Sequence, residues 1–202
     1  MKIKVGIIGG SGYTGIELLR IMRLHPNAEV HAISSRALEG RKVSEVFPNM
    51  HGITELSYSL PDDQALFECD IVFFATPHGV AMNNAKLFLD KNIKVVDLGA
   101  DFRISNASIW SDWYKMEHTQ ESLLKEAVYG QPEIKRDVIK EARLVANPGC
   151  YPTAVLLALK PLLQNNLIDT SNIIADCKSG TSGAGRIANQ ATLFCEITES
   201  FK

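Results

Sequence analysis

Apolar residues in the first part of the chain fall into short blocks separated by polar turns, and two periods alternate. Residues 2–8 alternate apolar with polar and then become fully apolar, as a buried parallel strand does. The stretch Gly9-Gly10-Ser11-Gly12-Tyr13-Thr14-Gly15 follows. Ile16, Leu18, Leu19 and Met22 then recur with helical spacing up to His25-Pro26-Asn27. Residues 28–34 read as a second strand, and 71–75, 94–98 and 144–146 as further ones. Helices are predicted at 80–91 and 134–142. Strands alternating with helices predict an α/β fold with a doubly wound parallel sheet.

The remaining stretches break this rhythm. Residues 105–129 hold both tryptophans, Trp110 and Trp113, among many polar residues, and read as a mostly surface excursion with one short helix near 120–127. An apolar, helix-prone run follows residue 153, with a kink or break expected at Pro161. Residues 173–178 read as a strand leading into Ser179-Gly180-Thr181-Ser182-Gly183-Ala184-Gly185-Arg186, and residues 193–198 as another; Glu196 and Glu199 read as lying on a strand, within reach of a site or on a solvated face. The chain ends at Lys202 without a turn, cap or polar tail, which reads as a cut inside a domain. Two domains are expected, 1–147 and 148–202, because the first sheet is complete at Asn147.

The glycine stretch satisfies GxGxxG between a strand and a helix, the setting of a Rossmann-type dinucleotide loop. Gly10, Ser11, Gly12, Tyr13, Thr14 and Gly15 are therefore candidate pyrophosphate ligands at a helix N-terminus. The alternative is a glycine-rich turn without ligand. An NAD site keeps a carboxylate about twenty residues further on. Here the second strand ends Ile33-Ser34-Ser35-Arg36, and Ser35 with Arg36 suits the extra phosphate of NADP. A solvated surface arginine is the plainer reading.

A second signal is Asn147-Pro148-Gly149-Cys150-Tyr151-Pro152-Thr153-Ala154. The Pro-Gly pair turns the chain after a strand, and Cys150 stands where a helix begins. A thiolate is favoured at such a position, and the thiolate is the nucleophile. A small buried hydrophobe is the bland alternative.

Composition narrows the field. With 202 residues, 46% hydrophobic, the chain can bury one substantial core or one domain plus part of a second. A net charge of −2 gives no electrostatic case for nucleic acid or a membrane surface. No apolar run approaches a membrane span, and the start of the chain enters a strand pattern at once, so no signal peptide is expected. Cys69, Cys150, Cys177 and Cys195 show no CxxC pair, which fits free thiols in a reducing cytoplasm and argues against a metal site.

Together these residues resemble the N-acetyl-gamma-glutamyl-phosphate reductase family of arginine biosynthesis. The most specific stretch runs from Val145 through Cys150 to Ala154 and on to Ala158-Leu159-Lys160-Pro161. Supporting it are the glycine loop, Thr76-Pro77-His78-Gly79, Asp97-Leu98-Gly99-Ala100-Asp101-Phe102-Arg103, Tyr129-Gly130-Gln131-Pro132-Glu133 and residues 178–186. Gly99 departs from the serine usual in that family. The resemblance implies a second, semialdehyde dehydrogenase-like α+β domain begun in residues 148–202, a homo-oligomer, and NADPH as cofactor. It implies Cys150 as the nucleophile toward a small acyl phosphate and Pro77, Ser182 and Gly183 as further cofactor contacts; the position of His78 next to a motif suggests packing by the cofactor, with a catalytic base as the alternative. Arg103 and Arg186 are substrate-binding candidates, with a structural ion pair or solvated charge as the alternative for each. The family's general base lies in a His-Arg-His stretch beyond residue 202, and no histidine of this chain stands in that context. A chain of this length is therefore expected to bind NADPH without turning over. Aspartate-semialdehyde dehydrogenase, an enzyme acting on carrier-linked substrates, and a non-catalytic dinucleotide-binding fragment are the alternatives.

Overall fold

In the computed structural model, which describes residues 1–197, six parallel strands carry the first unit of the chain, Met1–Pro148; the second unit is Gly149–Lys202. Strand β1 (Ile3–Ile8) leads through the glycine loop into helix α1 (Tyr13–Met22) and strand β2 (Ala28–Ser34). A short helix α2 (Val43–Val46) and several single turns connect to β3 (Ile71–Phe74), α3 (Val80–Leu89) and β4 (Lys94–Asp97). Then come α4 (Ala107–Tyr114), α5 (Glu121–Glu126), β5 (Val128–Tyr129), α6 (Pro132–Glu141) and β6 (Leu144–Ala146).

The sheet order is β2-β1-β3-β4-β6-β5. Because side chains alternate across a strand, one face takes Val5, Ile7 and Ile33 into a core with Ile16 and Leu19 of α1. The other face takes Ile8, Val72, Phe74 and Val95 into a core with Met82, Ala85 and Phe88 of α3. The chain moves outward from β1 in both directions, to β2 on one side and β3 on the other. In an open sheet the ligand crevice opens at that point, beyond the carboxyl ends of the strands.

The excursion predicted at 105–129 keeps much exposed surface and carries the expected short helix, α5, but is otherwise corrected. It contains two helices and the edge strand β5, and Trp110 is fully buried. Its indole Nε1–H donates to the Ala100 carbonyl at 2.8 Å, and its ring packs edge-on against His118. Of the two tryptophans, only Trp113 stays at the surface.

In the second unit, α7 (Cys150–Gln164) runs through Pro161 without the expected break. Proline removes one N–H from the helix, and Asn165 Nδ2 donates to the Pro161 carbonyl one turn later. The strand expected at 173–178 does not form, because no neighbour pairs with it among the described residues. A strand was likewise expected at 193–198; its described part, residues 193–197, instead carries the single-turn helix α8 (Phe194–Ile197), while Thr198 and Glu199 lie outside the described residues.

Candidate active site

The glycine loop owes its shape to close backbone approach. Gly9 has φ +86°, and a Cβ there would stand 2.3 Å from the Ala75 carbonyl oxygen. A Cβ on Gly15 would stand 2.6 Å from Gly10 Cα, so α1 can begin only this near the loop. The amides of Gly9 and Gly10 both donate to the Ser34 carbonyl, at 3.1 and 2.9 Å, which pins the loop to the end of β2. At Gly12, by contrast, the nearest atom to an added Cβ is 3.8 Å away. Gly12 is the N-cap of α1, no side chain among the described residues accepts from the helix's first amides, and its first turn holds no acid. The amides that start a helix have no intrahelical partner, so this uncapped end next to open space suits a pyrophosphate.

Around it runs a cleft of about 300 Å³, with Ser11, Ser35, Arg36, Thr76 and Pro77 among its lining residues. Of the residues singled out from sequence, Ser11, Ser35, Arg36 and Pro77 are thus brought together, with Gly10, Gly12 and Gly15 shaping the loop beside them. Ser35 is almost buried and Arg36, at the start of a short turn, is exposed. Among the described residues no carboxylate lines this cleft. Tyr13 and Thr14 are exposed in the first turn of α1. Sequence reasoning misses Pro61, Val80, Asn84 and Phe88, which also line the cleft. The signal for Asn84 was its place one turn after Val80 on the helix behind Thr76-Pro77-His78-Gly79.

The segment after β4 stitches the carboxyl end of the sheet together. Asp97 Oδ1 accepts from Gly99 N and Oδ2 from Asp101 N, at 2.8 and 3.0 Å. Asp101 is itself fully buried. Burial, and then the Asp101 carboxylate, push the Asp97 carboxyl up to about 6, against the opposing pull of the two amides and the Arg103 charge. Arg103 forms no ion pair among the described residues. Its Nε donates to the Asn147 carbonyl at 2.7 Å and its Nη2 to the Leu98 carbonyl at 3.0 Å, joining the chain just after β6 to the chain just after β4. Burial raises the Tyr129 phenol, and the Arg103 charge works against that rise. His78 is exposed and rests on the Tyr114 ring, with centroids 4.9 Å apart.

In the second unit, Cys150 is exposed as the first residue of α7, behind the N-cap Gly149. The backbone N–H and the hydroxyl of Thr153 both donate to the Gly149 carbonyl, at 3.0 and 2.8 Å, which closes the first turn. That turn contains no acidic residue. Ser182 and Gly183 lie in an exposed turn, Thr181–Ala184, and Arg186 is exposed after it.

Comparison with known proteins places these features in a family context. Residues 4–142 match the family model described as semialdehyde dehydrogenase, NAD binding domain, and residues 150–202 the model for the semialdehyde dehydrogenase dimerisation domain. An N-acetyl-gamma-glutamyl-phosphate reductase of Ruthia magnifica subsp. Calyptogena magnifica is 62% identical over 200 residues, covering 99% of this chain and 59% of the relative. One from Thiobacillus denitrificans is 55% identical, with 99% and 58% covered. The chain thus spans less than two thirds of the length of these relatives. Among solved structures, aspartate semialdehyde dehydrogenase II from Vibrio cholerae, complexed with ASA, superposes with a TM-score of 0.61 at 16% identity, covering 81% of this chain and 43% of that one. The Candida albicans enzyme with NADP gives 0.59 at 17% identity, covering 80% and 47%. At such identity these two speak for the fold alone.

Proposed function

Because the chain belongs to the semialdehyde dehydrogenase family, we propose that its protein is an NADPH-dependent reductase that converts N-acetyl-gamma-glutamyl phosphate to N-acetylglutamate 5-semialdehyde and phosphate. The observation that carries the chemistry is Cys150, an exposed thiol at the first position of α7. The named substrate follows the relatives that align over 200 residues at 62% and 55% identity.

The Cys150 thiolate attacks the acyl phosphate carbonyl, the carbon–oxygen bond to phosphate breaks, and phosphate leaves with the bonding pair. A thioester remains on Cys150. NADPH, when bound, supplies the hydride that this carbon accepts. The carbon–sulfur bond then breaks, releasing aldehyde and regenerating the thiolate. Splitting one displacement into two easier steps is what a nucleophilic cysteine contributes. The open end of α1 at Gly12 would hold the pyrophosphate, and Ser35 and Arg36 the 2′-phosphate, with no carboxylate among the described lining residues to repel it. Ser182 and Gly183 are assigned to the cofactor and Arg103 and Arg186 to the substrate by resemblance; Arg103 offers the substrate only the N–H groups not committed to Asn147 and Leu98. The match of residues 150–202 to a dimerisation domain supports a homo-oligomer. Four unbridged cysteines suit a reducing cytoplasm.

The test is the reverse reaction in the full gene product: phosphate-dependent reduction of NADP by N-acetylglutamate 5-semialdehyde, followed by absorbance. Cys150→Ser should abolish it while cofactor binding is retained. Activity with aspartate 4-semialdehyde and none with the acetylated substrate would overturn the substrate assignment.

A further inference from the structure

We propose that Asp101 is a positioning residue for the nicotinamide half of the dinucleotide, acting by holding the loop of residues 76–79 and the start of α3. The inference rests on the cofactor reading above. Both carboxylate oxygens of Asp101 are used: Oδ1 accepts from Gly79 N and Oδ2 from Met82 N, each at 2.8 Å. Asp101 thereby caps α3 from 22 residues away, across a turn in which Gly79 holds φ +85°. The brace is itself braced. Asp101 N donates to Asp97 Oδ2, and the Asp101 carbonyl meets His118 Nε2 at 2.8 Å. The His118 ring is fixed in turn, because Gln120 N donates to its Nδ1 and so leaves Nε2 as the N–H.

Two consequences follow for the ligand. Two helices start at the carboxyl end of the sheet beside the cleft, α1 and α3. The amides opening α3 already hold an internal carboxylate, whereas among the described residues no side-chain acceptor meets those opening α1. The pyrophosphate therefore belongs to α1. The order β2-β1-β3 then puts Ser35 and Arg36, at the end of β2, on the adenosine side of the crevice. Thr76, Pro77 and Val80, beyond the end of β3, form the wall on the nicotinamide side. Asp101 shapes that wall without touching the cleft, since it is fully buried and does not line it.

The experiment separates the two halves of the cofactor. NADPH and adenosine 2′,5′-bisphosphate, which carries only the adenosine half, are titrated into the chain and into Asp101→Asn. An asparagine offers one oxygen where two amides need acceptors, so NADPH binding should weaken by about tenfold or more. Binding of the bisphosphate should stay within about twofold. A variant that is merely unfolded or loosened loses both, and equal losses, like an unchanged NADPH affinity, overturn the inference. If the variant does not fold, hydrogen exchange on the unaltered chain decides: NADPH should slow exchange across residues 76–82 and the bisphosphate should not, and equal protection by both overturns it. Failure of the unaltered chain to bind the bisphosphate overturns the cofactor reading itself, and this inference with it.

Discussion

The hydroxyl oxygens of Ser11 and Ser35, 24 residues apart in the chain, lie 2.9 Å from each other. This contact fastens the glycine loop to the end of β2 and sets Arg36 beside the cleft that both serines line. The glycine loop and Arg36, proposed above for the pyrophosphate and the 2′-phosphate, are therefore one assembly. A change at one can be read through the other.

Arg36→Ala should weaken NADPH binding by about ten- to a hundredfold, the worth of one charge-assisted contact to phosphate. NADH, which lacks the 2′-phosphate, should bind within about twofold of its original affinity. Fluorescence titration of both cofactors into both proteins measures this. Equal losses for the two would remove Arg36 from the 2′-phosphate site.

The thiols should separate clearly under brief alkylation at neutral pH. Cys150 is exposed at the start of a 15-residue helix. Cys69 is buried, its thiol donates to the Ala65 carbonyl, and burial raises it to about 11. Peptide mapping after iodoacetamide should find Cys150 modified first, ahead of Cys177 and Cys195, with Cys69 last. Earlier labelling of Cys195, which is also exposed, would argue against Cys150 as the activated nucleophile.

Local signals carry much of this fold and little of its long-range bracing. Five of the six parallel strands, the glycine loop and the start of α7 at Cys150 are legible because each depends on residues within a few positions: apolar runs, a glycine spacing, a Pro-Gly turn. Trp110 is not, since its burial depends on the Ala100 carbonyl and the His118 ring, neither of which a polar neighbourhood announces. Asn84 and Phe88 join the cleft only through the packing of α3 on the sheet. Residues 173–178 have the composition of a strand, but a strand exists only with a partner, and sequence pattern does not supply one. The capping of α3 by Asp101 spans 22 residues and leaves no periodic trace.

Trp110 offers a direct stability test. Trp110→Ala should destabilise the first unit by about 3–5 kcal/mol, the usual range for removing a large buried aromatic side chain. Trp110→Phe keeps most of the ring but leaves the Ala100 carbonyl without its N–H donor, at a cost of about 1–3 kcal/mol. Urea denaturation measures both. A loss below 1 kcal/mol for the alanine variant would contradict the burial seen here.

Asp97 should give the protein an unusual dependence on pH. Its carboxyl sits at about 6 in the fold against 3.8 for a free side chain, so between those values the folded protein holds a proton that the unfolded chain has released. Stability contributed by this residue is therefore greatest below pH 4 and falls as pH rises to about 6, by about 3 kcal/mol in all. The trend is opposite to that of a paired surface carboxylate. Asp97→Asn removes the titration while keeping one acceptor for the two amides of Gly99 and Asp101, so it trades a lost hydrogen bond for relief from a buried charge next to Asp101. The difference in unfolding free energy between the two proteins should shift in favour of the variant as pH rises from 4 to 6.5, measured by urea melts at fixed ionic strength. Parallel curves for the two proteins across that range would mean that Asp97 does not titrate there.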